Sequence, residues 1–289
     1  MTLDLTTLDA HEQPSDHLRA IWKGYAKTDK ADLLTSSNVD DLLVPEKAAE
    51  FQKAGSIPAE RIRTAFSHLV GDDPSIPRVE EDVDILHHPL IPDSDTMFVP
   101  KDPSVHKPLS MKQVMERRLH WVTLGGQYDW TNRVYPGEEP PSFPEDVAGL
   151  LETLFPETLA QAAIVNFYTP GDTMMMHRDV SEETDKGLVS VSIGCDALFM
   201  IAPNDVGKLS EAERPAEGEK HYLMLRIRSG DVIYMTQDSR YAWHGVPKVL
   251  KGTCPDYLKD WPAEDGKYEE WRGWMANKRI NLNVRQMRD

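Results

Sequence analysis

His177-Arg178-Asp179 places an imidazole and a carboxylate two residues apart, so on an extended backbone both side chains leave the same face and can meet one cation. His244, 65 residues beyond Asp179 and just before Gly245-Val246-Pro247, is a third candidate ligand. Two histidines and one carboxylate form a facial triad. Such a triad leaves three adjacent positions open, which lets iron(II) hold a bidentate cosubstrate and O2 together. A catalytic zinc accepts the same donors, so the triad alone leaves the metal open. His-x-Asp also arises by chance, and strand histidines are more often ordinary surface or core residues.

A cationic companion changes the balance. Arg279-Ile280-Asn281-Leu282-Asn283-Val284-Arg285 alternates polar with apolar residues, so Arg279, Asn281, Asn283 and Arg285 share one strand face. A buried guanidinium is costly without an anion, and a dicarboxylic acid can give one carboxylate to a metal and the other to the planar guanidinium fork. A solvated basic edge strand would show the same alternation. Asn166-Phe167-Tyr168 repeats it upstream, with two side chains able to donate to a carboxylate or keto oxygen. Trp121, Tyr128, Trp130 and Tyr135 crowd a Gly-containing stretch, which suits either a base-stacking platform or a core cluster pinning a hairpin.

These residues need a frame. Leu18, Ile21, Trp22 and Tyr25 fall at i, i+3, i+4 and i+7 and predict a docked amphipathic helix, and the fifteen residues before it are expected to add little stability. A second helix is predicted over Pro58–Leu69, with Ile62, Ala65, Phe66 and Leu69 on its apolar side. From Asp72 to Pro108 prolines and the acidic cluster Glu80 to Asp84 replace any periodicity, predicting a connector that wraps the core. After Met111 short strands dominate: Val189 to Ile193, Ala197 to Ile201, Tyr222 to Arg228 and Val232 to Met235. The expectation is a mainly β fold with added helices, residues 1–110 forming a helical extension and connector and 111–289 a catalytic sandwich or barrel.

With 32 basic and 48 acidic residues the chain carries a formal charge of −16, so nucleic-acid binding would need a local surface rather than a general field. Cys195 and Cys254 stand far apart in no metal-ligand spacing, which argues against a disulfide framework and for a reducing compartment. The acidic opening residues are unlike a secretory or mitochondrial presequence, and no apolar run is long enough to span a bilayer. The expected location is cytoplasm or nucleus, with no membrane contact.

Taken together, Asn166-x-Tyr168, His177-x-Asp179, His244 and Arg279-x-Asn281-x-x-x-Arg285 resemble the AlkB family of nucleic-acid oxidative demethylases. The resemblance covers roughly Leu119 to Met287 and includes Leu188 to Gly194, Ser229-Gly230-Asp231-Val232 and Ser239-Arg240; its eukaryotic branch around the first AlkB homologue is nearest. It implies a double-stranded β-helix (jelly-roll) core, Fe(II), 2-oxoglutarate and O2, with His177, Asp179 and His244 on the metal. Arg279 would grip the distal carboxylate beside Asn166 and Tyr168, while Asn281 and Arg285 would support that pocket or pair with Asp179. Trp121 would stack on a flipped base and Tyr128 approach the backbone. Ser181 stands where bacterial members carry an acid near the base, so base preference does not carry over. The implied reaction oxidises N-methyl groups of nucleobases in RNA, tRNA foremost, or in DNA, releasing formaldehyde, succinate and CO2. The same chemistry on a protein side chain, or a silent binding module, are the rival expectations; protein partners are left open.

Overall fold

The two alternating segments that the sequence singles out become adjacent strands of one sheet in the computed structural model, which describes residues 8–70, 97–100, 102–129, 131–137, 139–204, 220–264 and 266–289. Glu80 to Asp84, most of the proline-rich connector and Trp130 lie outside the described residues. The order of elements is α1 (Asp16–Lys27), α2 (Lys30–Thr35), α3 (Pro45–Ala48), α4 (Ala59–Val70), β1 (Met97–Phe98), β2 (Leu109–Ser110), α5 (Met111–Arg117), β3 (Trp121–Gly125), α6 (Glu145–Leu154), β4 (Ala162–Tyr168), β5 (Met174–His177) and β6 (Leu188–Gly194). There follow β7 (Ala197–Ala202), β8 (Leu223–Ile227), β9 (Val232–Met235), β10 (Trp243–Val249) and β11 (Arg279–Arg285).

Two antiparallel sheets form the core, a five-stranded one in the order β3-β4-β11-β6-β9 and a four-stranded one in the order β5-β10-β7-β8. The chain passes from one to the other between β4 and β5, β5 and β6, β6 and β7, β8 and β9, β9 and β10, and β10 and β11, the winding of a double-stranded β-helix. Gly194-Cys195-Asp196 is therefore a corner between sheets. Gly194 has φ +95°, and a Cβ there would sit 2.4 Å from the Lys278 carbonyl oxygen, so the corner requires glycine.

Alternation then sorts the faces. The five-stranded sheet turns Val189, Val284 and Ala163 outward onto Leu151 of α6, and its polar residues inward. The four-stranded sheet turns Leu198, Met200, Met224 and Trp243 outward onto Leu18 and Trp22 of α1. Tyr168, Phe199, Ile227, Met235 and Val246 fill the space between the sheets. This two-sheet frame is the jelly-roll expected from the sequence.

The helix α1 docks by the face read from its periodicity, with Leu18 and Trp22 buried and Ser15 capping it by accepting from the Leu18 N–H at 3.2 Å. The Trp22 indole N–H also donates to the Met174 carbonyl at 3.0 Å, fastening β5 from outside. The segment after α2 covers the exposed edge of β8: the Asp40 N–H donates to the Met224 carbonyl at 2.7 Å, and the Asp40 carbonyl accepts from the Arg226 N–H at 3.2 Å. Trp22→Ala is expected to cost about 3–5 kcal/mol. Thermal melting of the variant alongside the parent checks this, and equal midpoints would show that α1 is not part of the core.

Two expectations are corrected. The second helix, α4, packs on α6 through Ala65 and the His68 ring, which lies over Gly149, while Ile62 and Phe66 stay 40% and 45% exposed. Small Ala65 and Gly149 allow close approach there, which a count of bulky residues overlooks. Secondly, strands do not take over at Met111. The Ser110–Gln113 capping box starts α5, and Val147, Leu150, Leu151 and Leu154 give α6 its helical period. Among the described residues no helix is long and apolar enough to cross a membrane.

Candidate active site

His177 ends β5 and His244 lies directly opposite it on β10, an antiparallel register that puts their ring centroids 4.4 Å apart. Gly245 makes the approach feasible. A Cβ there would meet the Met174 carbonyl oxygen at 2.8 Å and the Met175 carbonyl carbon at 3.1 Å, forcing β5 away from β10. Each imidazole is oriented by its own strand, because the His177 Nδ1–H donates to the Met175 carbonyl at 2.8 Å and the His244 Nδ1–H to the Ala242 carbonyl at 3.0 Å. A carbonyl can only accept, so both Nε2 lone pairs are left for a metal.

Asp179 completes the cluster, its carboxylate oxygens 3.8 Å from His177 Nε2 and 3.6 Å from His244 Nε2, with one donor atom of each residue within 4.8 Å of the others. Burial, then the neighbouring His244, pushes the His177 pKa down to about 4, so its ring is neutral and free to ligate at neutral pH. Burial alone would raise the Asp179 carboxyl, but Arg285, His244 and His177 outweigh it and hold the group well below the usual carboxylate range. His177 and Asp179 are thus in their metal-binding forms without a metal to deprotonate them.

The inner face of the five-stranded sheet leads away from this cluster. Arg279 pairs with Tyr168 and Asn281 with Asn166 across β11 and β4, while Asn281 faces Ser192, and Asn283 faces Ser190, across β6. Asn166, Tyr168, Ser190, Arg279, Asn281 and Asn283 line one cavity with His177 and His244, closed off by Leu188, Phe199, Met235 and Val246. At its far end the Arg279 guanidinium is 1% exposed and sits 5.1 Å from the centre of the Tyr168 ring. Only its Nη2 is bonded, donating to the Ser192 hydroxyl at 3.0 Å; Nε and Nη1 are buried without a partner. An unmatched buried cation at one end and three convergent ligands at the other fit an anion that also reaches the metal, so the residues present suit 2-oxoglutarate.

The structure separates the two arginines of β11. Arg285 lies at the metal end, its Nη2 3.5 Å from Asp179 Oδ2 and its Nη1 donating to Glu182 at 3.1 Å. Of the two roles left open for it in the sequence, the geometry selects pairing with Asp179. Asn281 donates to the Ser190 hydroxyl at 2.8 Å and the Val191 carbonyl at 3.1 Å, bracing β11 against β6 at the cavity wall.

Two supporting residues escaped sequence reasoning. Arg240, 1% exposed, donates to the backbone carbonyls of Asp179 and Lys186 at 2.8 and 2.7 Å and to Glu182 at 2.9 Å, clamping the loop that carries Asp179. Glu182 in turn joins Arg240 to Arg285. Within Ser181-Glu182-Glu183-Thr184 it reads as a surface loop residue, and only the fold buries it. Arg178, between the ligands, points outward, stacks 4.8 Å from the Trp243 ring and pairs with Glu12. The residues before α1 therefore brace the ligand segment, contrary to the small role expected of them.

Trp121 stands on the edge strand β3, in register with Asn166 and 44% exposed. Tyr128 and Ser181 share a hydroxyl–hydroxyl hydrogen bond of 3.0 Å, and the Tyr128 ring meets Tyr135 edge-on at 5.2 Å. Tyr135 so belongs to the wall behind Tyr128, and burial is the main reason its hydroxyl is held far above its ordinary pKa.

Comparison with known proteins adds an independent line. The 2OG-Fe(II) oxygenase superfamily matches residues 78–285. The "N6-methyladenosine RNA demethylase ALKB1" of Pyricularia oryzae is 58% identical, the match spanning 100% of both chains. The "N6-methyladenosine RNA demethylase ALKBH" of Cryphonectria parasitica is 84% identical over 73% of this chain and 93% of its own. The "tRNA demethylase abh1" of Schizosaccharomyces pombe is 41% identical over 63% of this chain and 57% of its own.

Proposed function

Because the chain belongs to the AlkB family of the 2OG-Fe(II) oxygenase superfamily, we propose that it demethylates N-methylated bases of RNA, with N6-methyladenine as the preferred base. It is an oxidative nucleic-acid demethylase that uses Fe(II), 2-oxoglutarate and O2. The observation that carries the site assignment is the Arg279 guanidinium, buried with Nε and Nη1 unpaired at the end of a polar strip that leads to His177, Asp179 and His244. The choice of RNA and of N6-methyladenine rests on the names of two relatives that this chain matches over most of their length.

In this reading His177, Asp179 and His244 hold the metal, and Arg279 takes the distal carboxylate of 2-oxoglutarate against the Tyr168 face, with Asn166 and Asn281 on the wall between. Iron held there would supply the oxidation, coupling conversion of 2-oxoglutarate and O2 to succinate and CO2 with hydroxylation of the substrate methyl carbon. The resulting N-hydroxymethyl group collapses to formaldehyde and the free amine. Leu188, Phe199, Met235 and Val246 exclude water from the inner cavity, which strengthens the charge-assisted contact at Arg279. Trp121, at the open edge of β3, stacks on the extruded base, and Tyr128 with Ser181 forms the opposite lip.

Incubation with polyadenylated RNA, total tRNA and genomic DNA under iron, 2-oxoglutarate and ascorbate, followed by mass spectrometry of nucleosides, tests this. The expected result is loss of N6-methyladenosine from RNA with matching formaldehyde. Undiminished N6-methyladenosine beside depletion of another methylated nucleoside would overturn the base assignment. Depletion in DNA alone would overturn the RNA assignment.

A further inference from the structure

Asn283 is the one polar residue of the inner β11 face that the metal and the cosubstrate leave unused. It lines the cavity between Asn281 and Arg285, and its amide nitrogen lies 3.5 Å from Asp179 Oδ2, the carboxylate oxygen that also faces His244 and Arg285. A carboxylate can face only the donor end of an amide, so this contact fixes the carbonyl end, Oδ1, as turned the other way. That oxygen is buried and has no hydrogen-bond partner. It needs a donor, and neither carboxylate of 2-oxoglutarate has one.

The charges around it narrow the donor. Asp179 and Glu182 are matched by Arg285 and Arg240, and the other polar side chains beside them, Tyr128, Tyr135, Ser181 and Asn283, bring no further charge. No unmatched carboxylate in this group awaits a cation, whereas a ring-methylated adenine or cytosine would bring one. N6-methyladenine is neutral, and its exocyclic nitrogen carries one methyl group and one N–H.

We propose that Asn283 Oδ1 accepts the N6–H of the target base, turning the N-methyl group toward the metal and selecting neutral exocyclic secondary amines over cationic, ring-methylated bases. Asn283 is then a positioning residue, acting beside the metal ligand rather than on the metal. The assignment rests on the N6-methyladenine reading above and names the contact that enforces it.

The test compares one RNA oligonucleotide carrying N6-methyladenine with the same oligonucleotide carrying N6,N6-dimethyladenine, which has no N–H to donate. The parent is expected to favour the monomethyl base in kcat/KM by roughly ten- to hundredfold, as when a buried acceptor keeps or loses its donor. Asn283→Leu and Asn283→Ala should bring the ratio toward one by slowing the monomethyl base and sparing the dimethyl base, with the same trend in affinities measured by fluorescence anisotropy without O2. Weaker iron binding or poorer folding would slow both oligonucleotides equally and leave the ratio intact. A parent that turns over both, with a ratio that neither substitution changes, overturns this inference alone. A parent that turns over neither overturns the proposed function, and this inference with it.

Discussion

Asp179→Ala is expected to abolish stoichiometric iron binding and turnover together, a loss beyond the roughly 10- to 100-fold that even an outer partner of a ligand costs. Among the described residues Asp179 supplies the only carboxylate within reach of both imidazoles, 3.8 and 3.6 Å from their Nε2 atoms. Without it, two neutral histidines would have to hold the ion, and neither offsets its charge. The substitution also leaves Arg285, 4% exposed in its side chain, with Glu182 alone. Asp179→Asn separates these effects by keeping the volume while discarding the charge. Metal content of the purified variants, measured beside their melting points, decides the matter. A folded variant that retains one iron per chain would remove Asp179 from the ligand set, and the same standard applies to His177→Ala and His244→Ala.

Arg279→Met should raise the dissociation constant for 2-oxoglutarate by about two to four orders of magnitude, the scale of breaking a buried charge pair worth roughly 3–5 kcal/mol. Iron content should be unchanged, since Arg279 lies at the end of the cavity away from the ligands. A second consequence has the opposite sign. In the protein without cosubstrate, two of the three guanidinium nitrogens of Arg279 are buried and unpaired, so this side chain is a cost to folding. Arg279→Met should therefore leave the cosubstrate-free melting point unchanged or higher, while removing the increase that 2-oxoglutarate brings to the parent. Burial, partly opposed by Tyr168, lowers the pKa of this arginine, which reflects the same strain. An unchanged 2-oxoglutarate affinity, or a strongly destabilised apo variant, would contradict the assignment.

Several features of the site were legible in the sequence because they are local. A two-residue pleat decides that Arg279, Asn281, Asn283 and Arg285 share a face, and strand pairing preserves that face whatever the neighbours are. The helical period of Leu18, Ile21, Trp22 and Tyr25 likewise foretold a docked helix, because the buried stripe follows from 3.6 residues per turn. The second helix shows the limit of this reasoning. Its periodic residues Ile62 and Phe66 are exposed, because helix packing there turns on small residues that let backbones approach.

What the residues by themselves determined about this protein is the set of chemical groups and the face each one shares. Their motif-level resemblance to the AlkB family placed the jelly-roll and its cofactors as well. Only the tertiary structure decided which groups meet. The opposition of His244 to His177 depends on a β-strand register across 66 intervening residues and on Gly245 leaving room for β5. Arg285 could have served either carboxylate pocket until the winding of the two sheets put it beside Asp179 and Glu182. Arg240 entered the sequence reading only as part of a family motif and Glu182 not at all; burial pairs them, and Glu12 gained its role only where the segment before α1 passes Arg178. Each of these depends on contacts between segments far apart in sequence. No local pattern encodes them, because the free energy that selects one register comes from the packing of whole sheets and not from the residues that the register brings together.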